Sequence, residues 1–203
     1  MSFAFSTPGS ESSQQMTSPS LLLKAKTLDQ DAWFQLVAIY TPLVRYWCQQ
    51  AKLSTDDVHD VTQETFAAVL RGLPRFQHGA AGQSFRGWLR TIVRHRLIDW
   101  HRARGAASAA GGTDAHLQLA QLPDPLAGED SESPLETGMV FRAAVRVVEA
   151  EFETATAKAF WLTTVEDRSP VEVAKELGIT LNAVYKAKSR VLRRLREVLD
   201  GLE

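Results

Sequence analysis

The chain has 203 residues, 44% hydrophobic and 23% charged, with a formal net charge of −1, the profile of a globular protein in water. No apolar run approaches the roughly 18 residues of a membrane-spanning helix, and a single cysteine, Cys48, excludes an internal disulfide and any multi-cysteine zinc site. The near-neutral total conceals segregation: 12 of the 23 cationic side chains lie in two short pieces, 86–104 and 186–196, while residues 105–134 carry five acids and no Lys or Arg.

Residues 1–24, polar and without a basic start or a cleavage pattern, are expected to form a disordered tail and not a signal peptide, which points to a cytoplasmic protein. From residue 31 to 52, Trp33, Phe34, Leu36, Val37, Tyr40, Leu43, Val44 and Trp47 recur at helical intervals, and Pro42 predicts a kink or break. Ser54 followed by Asp57 forms a capping box. The helix after it turns Val58, Val61, Thr65, Phe66, Val69 and Leu73 inward and leaves Asp57, Asp60, Gln63, Glu64 and Arg71 outside. Residues 79–83 read as a loop, and Ser84 caps a third helix with Phe85, Trp88, Leu89, Ile92, Val93, Leu97 and Trp100 as its apolar stripe. On its exposed side Arg86, Arg90 and Arg94 recur every four residues. Trp88 reads as core, whereas His101 is assigned to neither core nor site.

Residues 105–134, rich in Gly, Ala, Ser and Pro, read as a linker. It divides the chain into a first helical domain, 25–104, and a second, 135–203. Thirty flexible residues span about 30 Å and at most about 100 Å when extended. The second domain opens with helices near Leu135 and from 157 to 165. Then Pro170 starts a short helix, Gly178 provides a tight turn and Thr180 caps a longer helix, with Ala174, Gly178 and Val184 spaced as a helix-turn-helix requires. Val184, Ala187, Val191, Leu195 and Val198 face inward. Outward go Asn182, Tyr185, Lys186, Ser189, Arg190 and Arg193, the chemistry of a helix lying in a DNA major groove between phosphates.

An all-α, two-domain architecture follows, with no cofactor. Two other readings are compatible with individual features: a free-standing helix-turn-helix regulator, and a nucleic-acid-processing enzyme using Asp57, Asp60 and Glu64. The second lacks a convergent nucleophile, a His pair or a glycine-rich loop. His95 and His101, six apart, do not share a helix face, so no metal site is expected.

Three stretches in order, DVTQETFAAVLRGLPRF, SFRGWLRTIVRHRLIDWHRAR and SPVEVAKELGITLNAVYKAKSRVLRRLREVL, resemble bacterial RNA polymerase sigma factors of the sigma-70 family, extracytoplasmic-function (ECF) subgroup. The resemblance covers about 28–104 and 135–200. It implies that the protein performs no chemistry itself and binds core polymerase, with Asp57, Asp60, Gln63, Glu64, Phe66 and Leu70 on the clamp coiled coil of β′ and a further contact to the β flap. It implies that Phe76, Gln77, Arg86, Arg90, Arg94, His95 and Arg96 handle the −10 element as an opened strand with a flipped base. It assigns −35 duplex recognition to Thr180, Leu181, Asn182, Tyr185, Lys186, Ser189, Arg190 and Arg193, and it routes the acidic linker through polymerase channels. Any anti-sigma factor is a separate chain. His95 departs from the family, which carries Asn there, and the identity of the flipped base stays open.

Overall fold

The structure, a computed structural model, describes residues 20–77, 84–108 and 133–200. All regular elements among them are helical. In chain order they are α1 (Leu21–Lys26), α2 (Gln30–Gln50), α3 (Thr55–Gly72) running into a 3₁₀ turn (Leu73–Arg75), α4 (Phe85–Ser108), α5 (Pro134–Glu149), α6 (Thr154–Thr164), α7 (Pro170–Leu177) and α8 (Leu181–Leu199).

The caps read from the sequence are in place. The backbone N–H of Asp57 donates to Ser54 Oγ at 3.3 Å, that of Gly87 to Ser84 Oγ at 3.1 Å and that of Ala183 to Thr180 Oγ1 at 3.1 Å. Each satisfies one of the orphan donors of a first turn. Replacing Thr180 with alanine should therefore cost about 1 kcal/mol, seen as a fall in the thermal unfolding midpoint.

Two expectations need correction. Residues 21–24, placed in the tail, begin α1: Ser20 caps it, and Leu21, Leu22 and Ala25 are buried in the main core. Six residues are too few to show a period, so only burial identifies this helix; residues 1–19 lie outside the described ones. Pro42 does not end its helix either, since α2 continues to Gln50. Pro42 is itself exposed, as is Ala38 one turn before it, so water can reach the backbone group deprived of its partner.

The core crosses the boundary between the two helical parts. Leu36, Ile39, Leu43, Val44 and Trp47 of α2 belong to one cluster with Val140, Ala144, Val145 and Val148 of α5 and Val191, Leu195 and Val198 of α8. A small second cluster, Ala159, Val173, Ala174, Val184 and Ala187, joins α6 to the helix-turn-helix of α7 and α8. The two helical parts thus share one core, with a satellite beside it.

Aromatic packing fixes the junction between α3 and α4. Phe85, fully buried, meets Tyr40 edge-on at 5.0 Å and Phe76 at 5.8 Å, and Phe76 stacks on Trp88 at 4.8 Å. A Cβ added at Gly72 would lie 2.8 Å from Trp88 Cζ2. Because that ring is held by Phe76, it cannot swing away. Gly72→Ala should therefore destabilise the protein by about 1–3 kcal/mol despite the better helix propensity of alanine, and an unchanged or raised unfolding midpoint would show that the ring yields.

Candidate nucleic-acid and protein interfaces

Three surfaces carry the candidate residues. On α3, Asp60, Gln63, Glu64 and Leu70 are exposed along one side, with Gln63 Nε2 2.8 Å from His59 Nε2. Phe66 is turned the other way, 7% exposed, with its ring edge-on to Trp33 at 6.4 Å; it supports the surface from beneath.

Asp57 has an intramolecular occupation. Its carboxylate accepts from the Ser54 hydroxyl, from Trp100 Nε1 at 3.1 Å and from Arg104 at 2.7 Å, tying the start of α3 to the end of α4. Hydrogen bonding from Ser54, then from Trp100, holds its carboxyl below the ordinary carboxylate range, with Arg104 adding to the effect. A lowered folded-state value means that this tie is present above the unfolded carboxylate pKa of about 3.9 and is lost as pH falls through the lower folded value. Hydrogen exchange at the C-terminal end of α4 should accelerate in that acidic window in the wild type, and Asp57→Asn should abolish the pH dependence.

The α4 surface differs from its expected form. Phe76 is buried in the aromatic cluster and Gln77 is exposed. Arg94 and His95 are exposed, and Arg96 pairs with Asp99 at 3.3 Å. Arg86, expected on the outer side, is only 5% exposed. The cause is α5, which crosses here: Arg86 Nη1 donates to Thr137 Oγ1 at 3.0 Å, and Arg90 lies 3.9 Å from the Glu136 carboxylate. Glu136 is itself buried at 6% exposure and accepts from Trp47 Nε1 at 2.8 Å. It stands in the first turn of α5, where the helix dipole favours a negative charge. Neither Trp47 nor Glu136 was singled out as polar from the sequence. Their only signal is an acid standing alone in the first turn of α5.

The second surface of positive charge remains open. Gly178 takes the left-handed conformation, φ 63°, that ends α7 and aims α8. Along α8 the outward residues Leu181, Asn182, Tyr185, Lys186, Ser189, Arg190 and Arg193 are all exposed, as is the cap Thr180. Arg190 also lies over the Phe152 ring at 5.6 Å. Among the six cations of 186–196, Arg194 is committed elsewhere: it donates to Glu151 at 2.7 Å and pairs with Glu197 at 3.4 Å.

Among the described residues no group of three or more His, Cys, Asp or Glu side chains gathers in a way that could hold a metal ion, and no described helix is long and apolar enough to cross a membrane. Burial pushes the Cys48 thiol up to about 11, which leaves it protonated and inert near neutral pH.

Residues 36–107 match the family description sigma-70 region 2. The ECF RNA polymerase sigma factor SigE of Mycolicibacterium smegmatis is 27% identical over 83% of this chain, which spans 62% of that relative's length. The ECF RNA polymerase sigma factor ShbA of Streptomyces griseus is 27% identical over 89% of the chain and 94% of its own length. The RNA polymerase sigma factor CnrH of Cupriavidus metallidurans is 25% identical over 89% of the chain and 93% of its own length. The solved structure of CnrH in complex with the cytosolic domain of CnrY aligns over 90% of this chain and 97% of that one, with 24% identity and a TM-score of 0.37. With region 2 spanning α2 to α4 and relatives aligning across both helical parts, the chain carries a sigma-70 region 2 and is similar along most of its length to ECF RNA polymerase sigma factors.

Proposed function

We propose that three surfaces divide the work of initiation. The exposed side of α3, with Asp60, Gln63, Glu64 and Leu70, docks on the clamp coiled coil of polymerase β′, while Asp57 and Phe66 hold that helix in place. The second helical part meets the β flap. Residues 76–96 capture and hold the opened −10 strand, with Arg86, Arg90, Arg94 and Arg96 facing its phosphates and His95 near the flipped base. The exposed side of α8 reads the −35 duplex through Asn182, Tyr185, Lys186, Ser189, Arg190 and Arg193. The protein works in the cytoplasm, where polymerase and promoter are, and any anti-sigma factor acts as a separate chain.

The observation that carries this reading is the union of a region 2 match over 36–107 with an exposed cationic helix-turn-helix face on α8. The distance between the promoter elements supports a polymerase-bound protein over a free regulator: about 20 base pairs is roughly 70 Å at 3.4 Å per step, more than the relaxed linker spans and less than its extended limit. Another protein must hold the two parts apart. The test is binding of the purified protein to bacterial core RNA polymerase, with transcription from a pool of genomic fragments in the same reaction. Tight binding with new, discrete start sites is expected. Duplex binding by the isolated protein that survives replacement of Asp60 and Glu64, without polymerase binding, would favour the free-standing regulator.

A further inference from the structure

We infer that the structure is a self-latched form in which the first turn of α5 holds Arg86 and Arg90, one end of the −10 surface of α4, closed, with Glu136 as the latch. Four observations meet at this point. The Glu136 carboxylate is buried, and both its neighbours come from the other helical part: Trp47 Nε1 of α2 at 2.8 Å and the Arg90 guanidinium of α4 at 3.9 Å. Thr137, the next residue, accepts from Arg86 at 3.0 Å, and Arg86 is buried by this contact. Arg90 also lies over the Trp47 ring at 5.8 Å, so cation, indole and carboxylate form one unit. Beneath them the apolar faces of α2 and α5 share a core.

The physical consequence is competition for the same cations. The Glu136 carboxylate sets a negative charge beside Arg90, the Thr137 hydroxyl takes a donor of Arg86 that a phosphate would use, and a buried arginine cannot reach a DNA strand without uncovering. Three further arginines of α4 are paired with acids at the surface, Arg96 and Arg102 with Asp99 and Arg104 with Asp57, while Arg94 is exposed. The closed form thus conceals Arg86 and engages Arg90 while leaving Gln77, Arg94, His95 and the α8 surface exposed. Separation of α5 from α2 and α4 uncovers Arg86 and Arg90 together. The assignment of those arginines to the −10 strand rests on the proposed function above; the latch itself does not.

The latch can be read by the distance between nitroxide labels on Arg71→Cys of α3 and Glu172→Cys of α7, both exposed positions, since Cys48 is buried and does not react in the folded protein. Free wild-type background should give one narrow distance distribution. Glu136→Lys, which places a cation against Arg90, should raise the open-to-closed ratio roughly 100-fold, in keeping with the cost of breaking a buried pair. Trp47→Phe, which removes only the indole N–H and leaves the first turn of α5 untouched, should raise it roughly 10-fold. Both should lengthen and broaden the distribution at unchanged helical circular dichroism, and the two changes together should do so most. Added core RNA polymerase should open the wild type. A broad distribution in the free wild type overturns the inference, as does a doubly substituted protein as narrow as the wild type, or polymerase that binds without changing the distance. Polymerase that does not bind counts against the proposed function instead, and the free-protein comparison still decides the latch.

Discussion

Phe85→Ala is expected to lower the stability of the folded protein by about 3–5 kcal/mol, the cost of emptying a buried aromatic site, and to lower the thermal midpoint by roughly 10 °C for a chain of this size. Phe85 is fully buried and is the first residue of α4, directly after the cap Ser84. Its ring touches three others: Tyr40 of α2, Phe76 at the end of the 3₁₀ turn and Trp88 one turn on. Removing it therefore unties the start of α4 from α2 and from the chain leaving α3 at once. Neighbouring rings of this size collapse poorly into a cavity, because each is pinned by another partner, Phe76 and Trp88 by their mutual stacking. The functional loss should follow the structural one: residues 76–96 form the proposed −10 surface, and a displaced α4 start disturbs open-strand capture before it disturbs α8. Calorimetry checks the first statement. A loss below about 1 kcal/mol would mean that the four rings do not pack as a unit.

What the sequence discloses depends on the separation of the residues that decide each feature. The α8 surface is legible because everything that builds it is local: Thr180 caps three residues ahead, Gly178 turns the chain two residues before that, and the period of Val184, Ala187, Val191, Leu195 and Val198 assigns the buried side. The capping box at Ser54 and the first-turn proline at Pro170 are legible for the same reason. Arg86 fails the same kind of reasoning. Its spacing with Arg90 and Arg94 places it on the polar side of α4, and so it is, but a partner 51 residues later covers that side. Periodicity separates the two faces of a helix and does not say whether the polar one meets water or another polar group. Glu136 and Trp47 are 89 residues apart and come from different helical parts, so no local pattern links them. The shared core has the same origin: each helix of an amphipathic pair shows an apolar stripe, and nothing in the stripe names the helix that covers it.

The second large effect is expected on the open surface. Among the six cations of 186–196, Arg194 is committed to Glu151 and Glu197, and five are left to meet phosphates. At about 0.9 counterions released per neutralised phosphate, the logarithm of affinity for a −35 duplex should fall with the logarithm of salt at a slope near −4.5. Arg190→Ala combined with Arg193→Ala removes two of the five and should flatten the slope to about −2.7. At fixed moderate salt the same double variant should bind roughly 100-fold more weakly, about 2.7 kcal/mol, when one of the two arginines also contacts a base edge. Neither side chain belongs to the buried stripe of α8, so the helix itself should survive, and circular dichroism checks that it does. Polymerase affinity should hardly change, whereas Asp60→Ala on α3 should weaken polymerase binding and leave the salt slope intact. The crossed pattern is the informative outcome, because misfolding lowers both affinities together. A slope that stays near −4.5 in the double variant would place the phosphates on other cations of the chain and move the DNA contact away from the exposed face of α8.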